Sequence, residues 1–227
     1  SLVYAKQEAE ELVYNKVIIP RAGEYSLTLS DGTRVWLNSD SEIRYPVAFG
    51  KDRRTVFLSG EAYFEVTKDA VRPFYVVLDG MDVKVYGTSF NVNTHYQGKI
   101  LTTLIEGKVG IRVKSTGAES LLQPNQMAEF SLENKDVKVT DVDTYYYTAW
   151  RAGEFVFQNE TIEEIMDRLC RWYDTEVFYA NDDVKGKRFT GVIARFTDVA
   201  DVLHLIGETA TVQFNLKGNI ITVSDSR

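Results

Sequence analysis

The sequence predicts a mainly β protein, an antiparallel β-sandwich or roll domain followed by a small α+β domain in the order βαββαββ. Three observations predict it. From Arg21 to about Val142, apolar residues alternate with polar ones in short runs punctuated by turn residues, and no helical period intervenes. After Glu154 the period changes and two amphipathic helical patterns enter. Across the chain, 13 Tyr and 12 Phe supply aromatic side chains of the kind that pack well on pleated surfaces.

Residues 1–20 read as an arm or edge strand. The Ala/Glu-rich piece from Ala5 to Glu11 suits a short helix or a frayed arm. Val17-Ile18-Ile19 is an extended apolar run closed by Pro20, which cannot donate to a ladder and so suits an edge. Residues 21–143 form the β domain. Tyr25, Leu27 and Leu29 alternate with Ser26 and Thr28, Asp31-Gly32 tolerates the positive φ of a tight turn, and Val35 and Leu37 resume the alternation on the way back. Further strands follow around Val56 and Leu58, Ala62 to Val66, Val83 and Val85, Phe90 and Val92, Val109 to Val113, and Val137 and Val139. Turn signals such as Gly50-Lys51-Asp52, Asp79-Gly80, Thr116-Gly117 and Pro124-Asn125 separate them.

Residues 144–153 hold Tyr145, Tyr146, Tyr147 and Trp150, an aromatic linker expected to pack between the domains. In 154–227, Phe155-Val156-Phe157 is a strand, and Thr161 with Glu164 matches a capping box. Ile162, Ile165, Met166, Leu169, Trp172 and Tyr173 then recur at helical spacing. Glu176 to Tyr179 and Arg188 to Arg195 read as strands, and Thr197-Asp198 opens a second helix carrying Val199, Val202, Leu203 and Ile206. Thr211 to Leu216 and Asn219 to Val223 pair around Lys217-Gly218.

Composition narrows the function classes. The net charge of −7 argues against a nucleic-acid partner and against adsorption to an anionic membrane surface. Residues 154–227 carry 13 acids and 8 bases, so the small domain holds most of that charge, which suits a partner with a basic patch or simply a solvated surface. The single Cys170 cannot form an internal disulfide, which fits a cytoplasm or a bacterial periplasm. Apolar runs such as Phe74 to Leu78 fall far short of the ~20 residues of a membrane helix. Without a starting Met or a signal peptide, the chain is expected to be an excised fragment.

No catalytic set, metal site or cofactor motif emerges. His95 and His204 lack metal-ligating neighbours at a useful spacing, so each reads as a surface or partly packed imidazole. Cys170 borders an apolar helical face and reads as structural. Glu61 and Glu65 share one strand face and read as solvated. Gly107-Lys108-Val109-Gly110 lacks the glycines and the helix of a phosphate loop.

Ten motifs in register nevertheless carry a family resemblance. Ile19-Pro20 with Gly23-Glu24-Tyr25, LSDGTRVWLNSDSEIRYP (Leu29 to Pro46), LSGEAYFEV (Leu58 to Val66), Arg72-Pro73-Phe74, VYGTSFNV (Val85 to Val92) and Glu106 to Val109 are similar to the periplasmic region of Bacteroidetes FecR-type anti-sigma factors. So are Pro124-Asn125-Gln126, Ala149-Trp150 with Phe155 to Phe157, Arg171-Trp172-Tyr173 and Phe189-Thr190-Gly191.

The resemblance implies the periplasmic part of a single-span inner-membrane regulator. Its cytoplasmic domain, absent here, would hold an extracytoplasmic-function sigma factor. Its C-terminal module resembles the secretin and TonB short N-terminal domain class and is expected to engage the signalling domain of an outer-membrane TonB-dependent transducer. Small α+β modules can associate by adding strands at an edge. The expected edges are Glu176, Val177, Phe178 and Tyr179, and Ile220, Ile221, Thr222 and Val223; proline at Ile221 is expected to abolish binding while sparing the β domain. Some relatives cleave themselves at a Gly-Thr bond, which here would be Gly87-Thr88, although the expected role of the pair is a tight glycine turn. A different class of function, carbohydrate binding on a β-sandwich through Trp36, Tyr63 or the Tyr145 to Tyr147 cluster, is the alternative.

Overall fold

The structure, a computed structural model, describes residues 12–226, so the helix or arm expected at Ala5 to Glu11 lies outside the described residues. Fourteen strands come first: β1 (Tyr14–Ile19), β2 (Tyr25–Thr28), β3 (Arg34–Leu37), β4 (Ser41–Pro46), β5 (Arg54–Ser59), β6 (Glu61–Glu65), β7 (Phe74–Val77), β8 (Met81–Val85), β9 (Ser89–Asn93), β10 (Lys99–Glu106), β11 (Val109–Val113), β12 (Glu119–Leu122), β13 (Gln126–Ser131) and β14 (Val137–Asp141). They form two seven-stranded sheets, ordered β1-β4-β5-β7-β8-β11-β12 and β14-β13-β10-β9-β6-β3-β2.

Alternation buries one side of each sheet. In β5 the side chains of Val56 and Leu58 face the core, and in β8 those of Met81, Val83 and Val85 do. The two inner faces share one core, in which Phe64 stacks on Phe90 at 5.1 Å and meets Phe74 of the opposite sheet at 6.1 Å. Pairing is antiparallel except between β5 and β7. The chain leaves the first sheet through β6 and returns, so β7 re-enters alongside β5 in the same direction.

The Asp31-Gly32 turn forms with Gly32 at φ +85°, and it does more than reverse the chain. One Asp31 carboxylate oxygen accepts the Thr33 amide at 3.0 Å, while the other accepts the Thr33 hydroxyl at 2.8 Å and Nη1 of Arg54 at 2.7 Å. Arg54 is fully buried, and it also donates to the carbonyls of Thr67 and Arg72. The turn of the second sheet is thereby tied to β5 of the first.

After β14 come a single-turn helix α1 (Tyr145–Thr148) and a 3-10 turn over Ala149–Ala152, ended by Gly153 in the left-handed region. The small domain contains β15 (Glu154–Thr161), α2 (Ile162–Tyr173), β16 (Glu176–Tyr179), β17 (Arg188–Ala194), α3 (Val199–Ala210), β18 (Val212–Lys217) and β19 (Ile220–Asp225). The capping box at the start of α2 is complete: the Glu164 amide donates to the Thr161 hydroxyl, and the Thr161 amide donates to the Glu164 carboxylate. The apolar faces of α2 and α3 pack against Phe155, Phe157, Ile221 and Val223 in a core of their own. β15 pairs with β17, and a separate three-stranded sheet runs β16-β19-β18.

Candidate functional site

The two segments expected as docking edges are neighbours. β16 and β19 pair in parallel, with Glu176 opposite Ile220, Val177 opposite Ile221, Phe178 opposite Thr222 and Tyr179 opposite Val223. The alternation divides the eight residues. Val177, Tyr179, Ile221 and Val223 turn towards the helices, whereas Glu176, Phe178, Ile220 and Thr222 lie on the outer face. Phe178 is 62% exposed and Ile220 is 46% exposed.

Only one of the two segments is an edge. β19 is bonded on both sides, to β16 and to β18, so Ile220 to Val223 offers no free main-chain ladder, and the expectation of an edge there is corrected. The reason is topological: the parallel pairing brings β16 against the outer side of the last hairpin, which leaves the final strand in the middle. Ile221 is fully buried, so proline there would disrupt the sheet itself and could not isolate binding.

β16 is a true edge. The Glu176 amide donates to the Asn219 carbonyl just before β19 and the Ala180 amide to the Val223 carbonyl, so the amides of the alternate residues Val177 and Tyr179 point to the open side.

This module is fixed to the sandwich by a polar junction whose centre is Arg195, immediately after β17. Arg195 is 1% exposed. Its Nη2 donates to Asn38 Oδ1 at 2.7 Å and its Nη1 to the Trp150 carbonyl at 2.8 Å, while the guanidinium lies 3.8 Å over the Trp172 ring. Asn38 donates in turn to Glu61 at 2.7 Å. Glu61 also accepts from Asn91 at 3.0 Å, and Asn91 accepts the Trp150 indole N–H at 3.2 Å. Main-chain bonding adds to this: the Ala22 amide donates to the Arg171 carbonyl at 2.9 Å. Burial pushes the Arg195 guanidinium down to about 10, a measure of how far it is withdrawn from water.

Glu61 is therefore no solvated strand residue. It is buried, with both carboxylate oxygens engaged, because Asn38, just after β3, and Asn91, on β9, flank it. Glu65 pairs with Arg34 and with Arg151. Sequence reasoning missed this network because Glu61 and Asn91 alternate with the core residues Ala62, Phe64, Phe90 and Val92 and so lie on the outer face of their sheet, where polar side chains are ordinary until a second domain covers them.

The remaining expected residues are dispersed. Gly87 has φ +149°, and a Cβ there would lie 2.7 Å from the Lys68 Cα, so a close approach of backbone requires glycine. The Thr88 hydroxyl donates to the Lys108 carbonyl at 3.0 Å. His95 is half-buried, with Nε2 3.2 Å from the Ser39 carbonyl, and His204 lies exposed beside Glu208. Cys170 is buried, and desolvation pushes its thiol up, away from the reactive thiolate. Among the described residues no cluster of three or more His, Cys, Asp or Glu could hold a metal ion, and no helix is long and apolar enough to cross a membrane.

The aromatic residues named for sugar binding are otherwise engaged. Arg151 lies 4.1 Å from the Trp36 ring centre and 3.7 Å from that of Tyr63, and Trp36 and Tyr63 meet edge to face. The Tyr145 hydroxyl donates to Glu154, and Tyr146 and Tyr147 line the domain junction. Arg151 thus covers Trp36 and Tyr63, and Tyr145 is left 42% exposed.

Comparison with known proteins agrees with this architecture. The family model described as FecR protein matches residues 16–110, and that described as FecR, C-terminal matches residues 154–223. Two crystal structures of a proposed anti-sigma factor from Parabacteroides distasonis ATCC 8503, at 2.50 and 1.65 Å resolution, superpose with a TM-score of 0.85 at 27% sequence identity. The matches cover 95% and 94% of this chain and 100% of each solved chain. No curated protein matches the sequence.

Proposed function

We propose that this chain, which belongs to the FecR family of anti-sigma factors, is the receiving portion of a transmembrane regulator on the periplasmic side of a bacterial inner membrane. In this reading the small domain docks the signalling domain of an outer-membrane TonB-dependent transducer. The sandwich passes the docked state through its N-terminal strand towards a membrane helix and a cytoplasmic domain that holds an extracytoplasmic-function sigma factor.

The observation that supports docking most is the open β16 edge. Its outward amides of Val177 and Tyr179 offer main-chain bonds, and the exposed Phe178 ring beside them offers an apolar anchor. Phe178 and Ile220 together form an exposed apolar pair on a module that otherwise carries most of the chain's negative charge. The buried Arg195 junction holds that edge in fixed relation to the sandwich, so a load on β16 is transmitted rather than absorbed by a flexible linker.

The test is calorimetric titration of the chain with the signalling domain of the transducer encoded beside it. Val177→Pro removes one outward amide without touching the ladder to β19, and Phe178→Ala removes the anchor. Each should weaken binding by ~10-fold or more while the circular dichroism spectrum is retained. Wild-type affinity in both variants would exclude the β16 edge.

A further inference from the structure

The domain junction encloses a cavity of about 40 Å³, walled by Glu61, Asn93 and Tyr96 from the sandwich, Tyr147 from the linker, and Arg168, Arg171 and Arg195 from the small domain. Its charged lining is three arginines against one glutamate, in a chain of net charge −7. Glu160 pairs with Arg168 and Glu24 reaches Arg195 at 3.5 Å, which leaves the half-buried Arg171 as the lining cation with no ion pair among the described residues.

The hydrogen-bond count is as one-sided as the charge. Arg168 has its own acceptors in Glu160 and the Val156 carbonyl. Both oxygens of Glu61 are taken by Asn38 and Asn91. Nε of Arg195 is buried without a partner. The Arg171 guanidinium makes no hydrogen bond or ion pair with any described residue, and the hydroxyls of Tyr96 and Tyr147 likewise have none. Every one of these unmatched groups can donate. Burial pushes the Arg171 guanidinium down, against the opposing pull of Asp167, Glu61 and Tyr96, and Arg168 adds to the burial effect.

An acceptor-only ligand answers both imbalances at once. We propose that this cavity binds a small oxyanion, a carboxylate or a phosphate, held by Arg171 with the hydroxyls of Tyr96 and Tyr147, and that the bound ion fastens the small domain to the sandwich. The space suits an ion of that size, since a site for one water needs ~10–15 Å³ by the same measure. Tyr96, Tyr146 and Tyr147 also line a second cavity of about 220 Å³ whose charged lining is Lys99, paired with Glu129, together with Glu160 and Glu164, so it adds space for an uncharged organic tail and no further anion-binding charge. Because the wall comes from both domains, binding stabilises their contact by linkage and is independent of any partner at β16.

The experiment is titration of the chain with sodium acetate, succinate or phosphate at constant ionic strength, with chloride as the control, read by calorimetry and by thermal unfolding. Saturable heat and a rise in Tm with at least one oxyanion, absent with chloride, are expected. A response to acetate and succinate marks a carboxylate site, and a response to phosphate alone marks a phosphate site. Arg171→Gln should weaken that binding by ~10-fold or more, the loss of a charge-assisted pair. Asn93 accepts the His95 amide at 2.8 Å through Oδ1. Asn93→Asp keeps that acceptor, adds a carboxylate to the wall, and should raise Tm in anion-poor buffer while abolishing the response. No saturable response in the wild type, or equal responses in wild type and Arg171→Gln, overturns the site. Should Arg171→Gln fail to fold, Asn93→Asp decides, because lowered stability with an undiminished anion response also overturns it.

Discussion

Arg195, in the small domain, donates to Asn38, in the sandwich, at 2.7 Å, across 157 positions of sequence. The guanidinium is almost wholly buried, and its other contacts are the Trp150 carbonyl, the Trp172 ring and, at 3.5 Å, the Glu24 carboxylate. Arg195→Ala removes these contacts, while Asn38 keeps the Glu61 carboxylate and the Ser39 amide, and the Trp150 carbonyl keeps the Gly153 amide. The expected cost is ~2–3 kcal/mol, from the lost charge-assisted hydrogen bonds and packing. Differential scanning calorimetry should resolve one cooperative transition in the wild type and two in the variant, one for each domain.

The Asp31–Arg54 pair is the corresponding tie inside the sandwich, with side chains 5% and 0% exposed. Asp31→Asn leaves the buried guanidinium without its counter-charge and should destabilise the protein by ~3–5 kcal/mol. Urea denaturation followed by tryptophan fluorescence measures it. A loss below ~1 kcal/mol would reduce Asp31 to an ordinary turn residue.

His95 gives the junction a pH dependence. Desolvation lowers its affinity for a proton below the ordinary 6.5, and Arg171 lowers it further, against the opposing pull of Glu61 and Asp40. The Ser39 carbonyl also favours the charged ring. The folded state thus binds the proton less readily than the unfolded chain. Stability from this group is complete above the ordinary pKa and is lost as pH falls through it towards the lower folded value. His95→Gln should flatten the decline between about pH 7 and 5. Asp69, held down to about 2 by the backbone and side chain of Arg72, acts only well below that window.

Thr88 offers a sharper choice. Its hydroxyl donates to the Lys108 carbonyl, so Thr88→Ala should cost ~1–2 kcal/mol of stability and leave an intact chain, as in the wild type. Intact-mass spectrometry after prolonged incubation checks this. Two fragments meeting at Gly87-Thr88 in the wild type, and none in the variant, would give the hydroxyl a chemical role.

Local rules carried much of the fold. The capping box of Thr161 and Glu164, the Asp31-Gly32 turn and the inward alternation of Val56 and Leu58 are set by neighbours a few residues away, and each is readable from sequence. Pairings over long separations have no such signature. Nothing near Glu61 announces Asn91 or Trp150, and Asp31 read as a turn residue because its buried partner Arg54 lies 23 positions on. The order of strands in a sheet is equally non-local. β19 is last in sequence but central in its sheet, because the parallel partner β16 comes from before α3. Its residues therefore belong to the outer face and core of the candidate docking surface rather than to its edge.

The central claim is that a partner docks on the β16 edge. Backbone amide hydrogen exchange, measured with and without the transducer signalling domain, tests it most directly. New protection is predicted at the outward amides of Val177 and Tyr179, with β19 unchanged because its ladders are already complete on both sides. Protection confined to β18 or to the outer strands of the sandwich, with Val177 and Tyr179 exchanging as in the free chain, would contradict it.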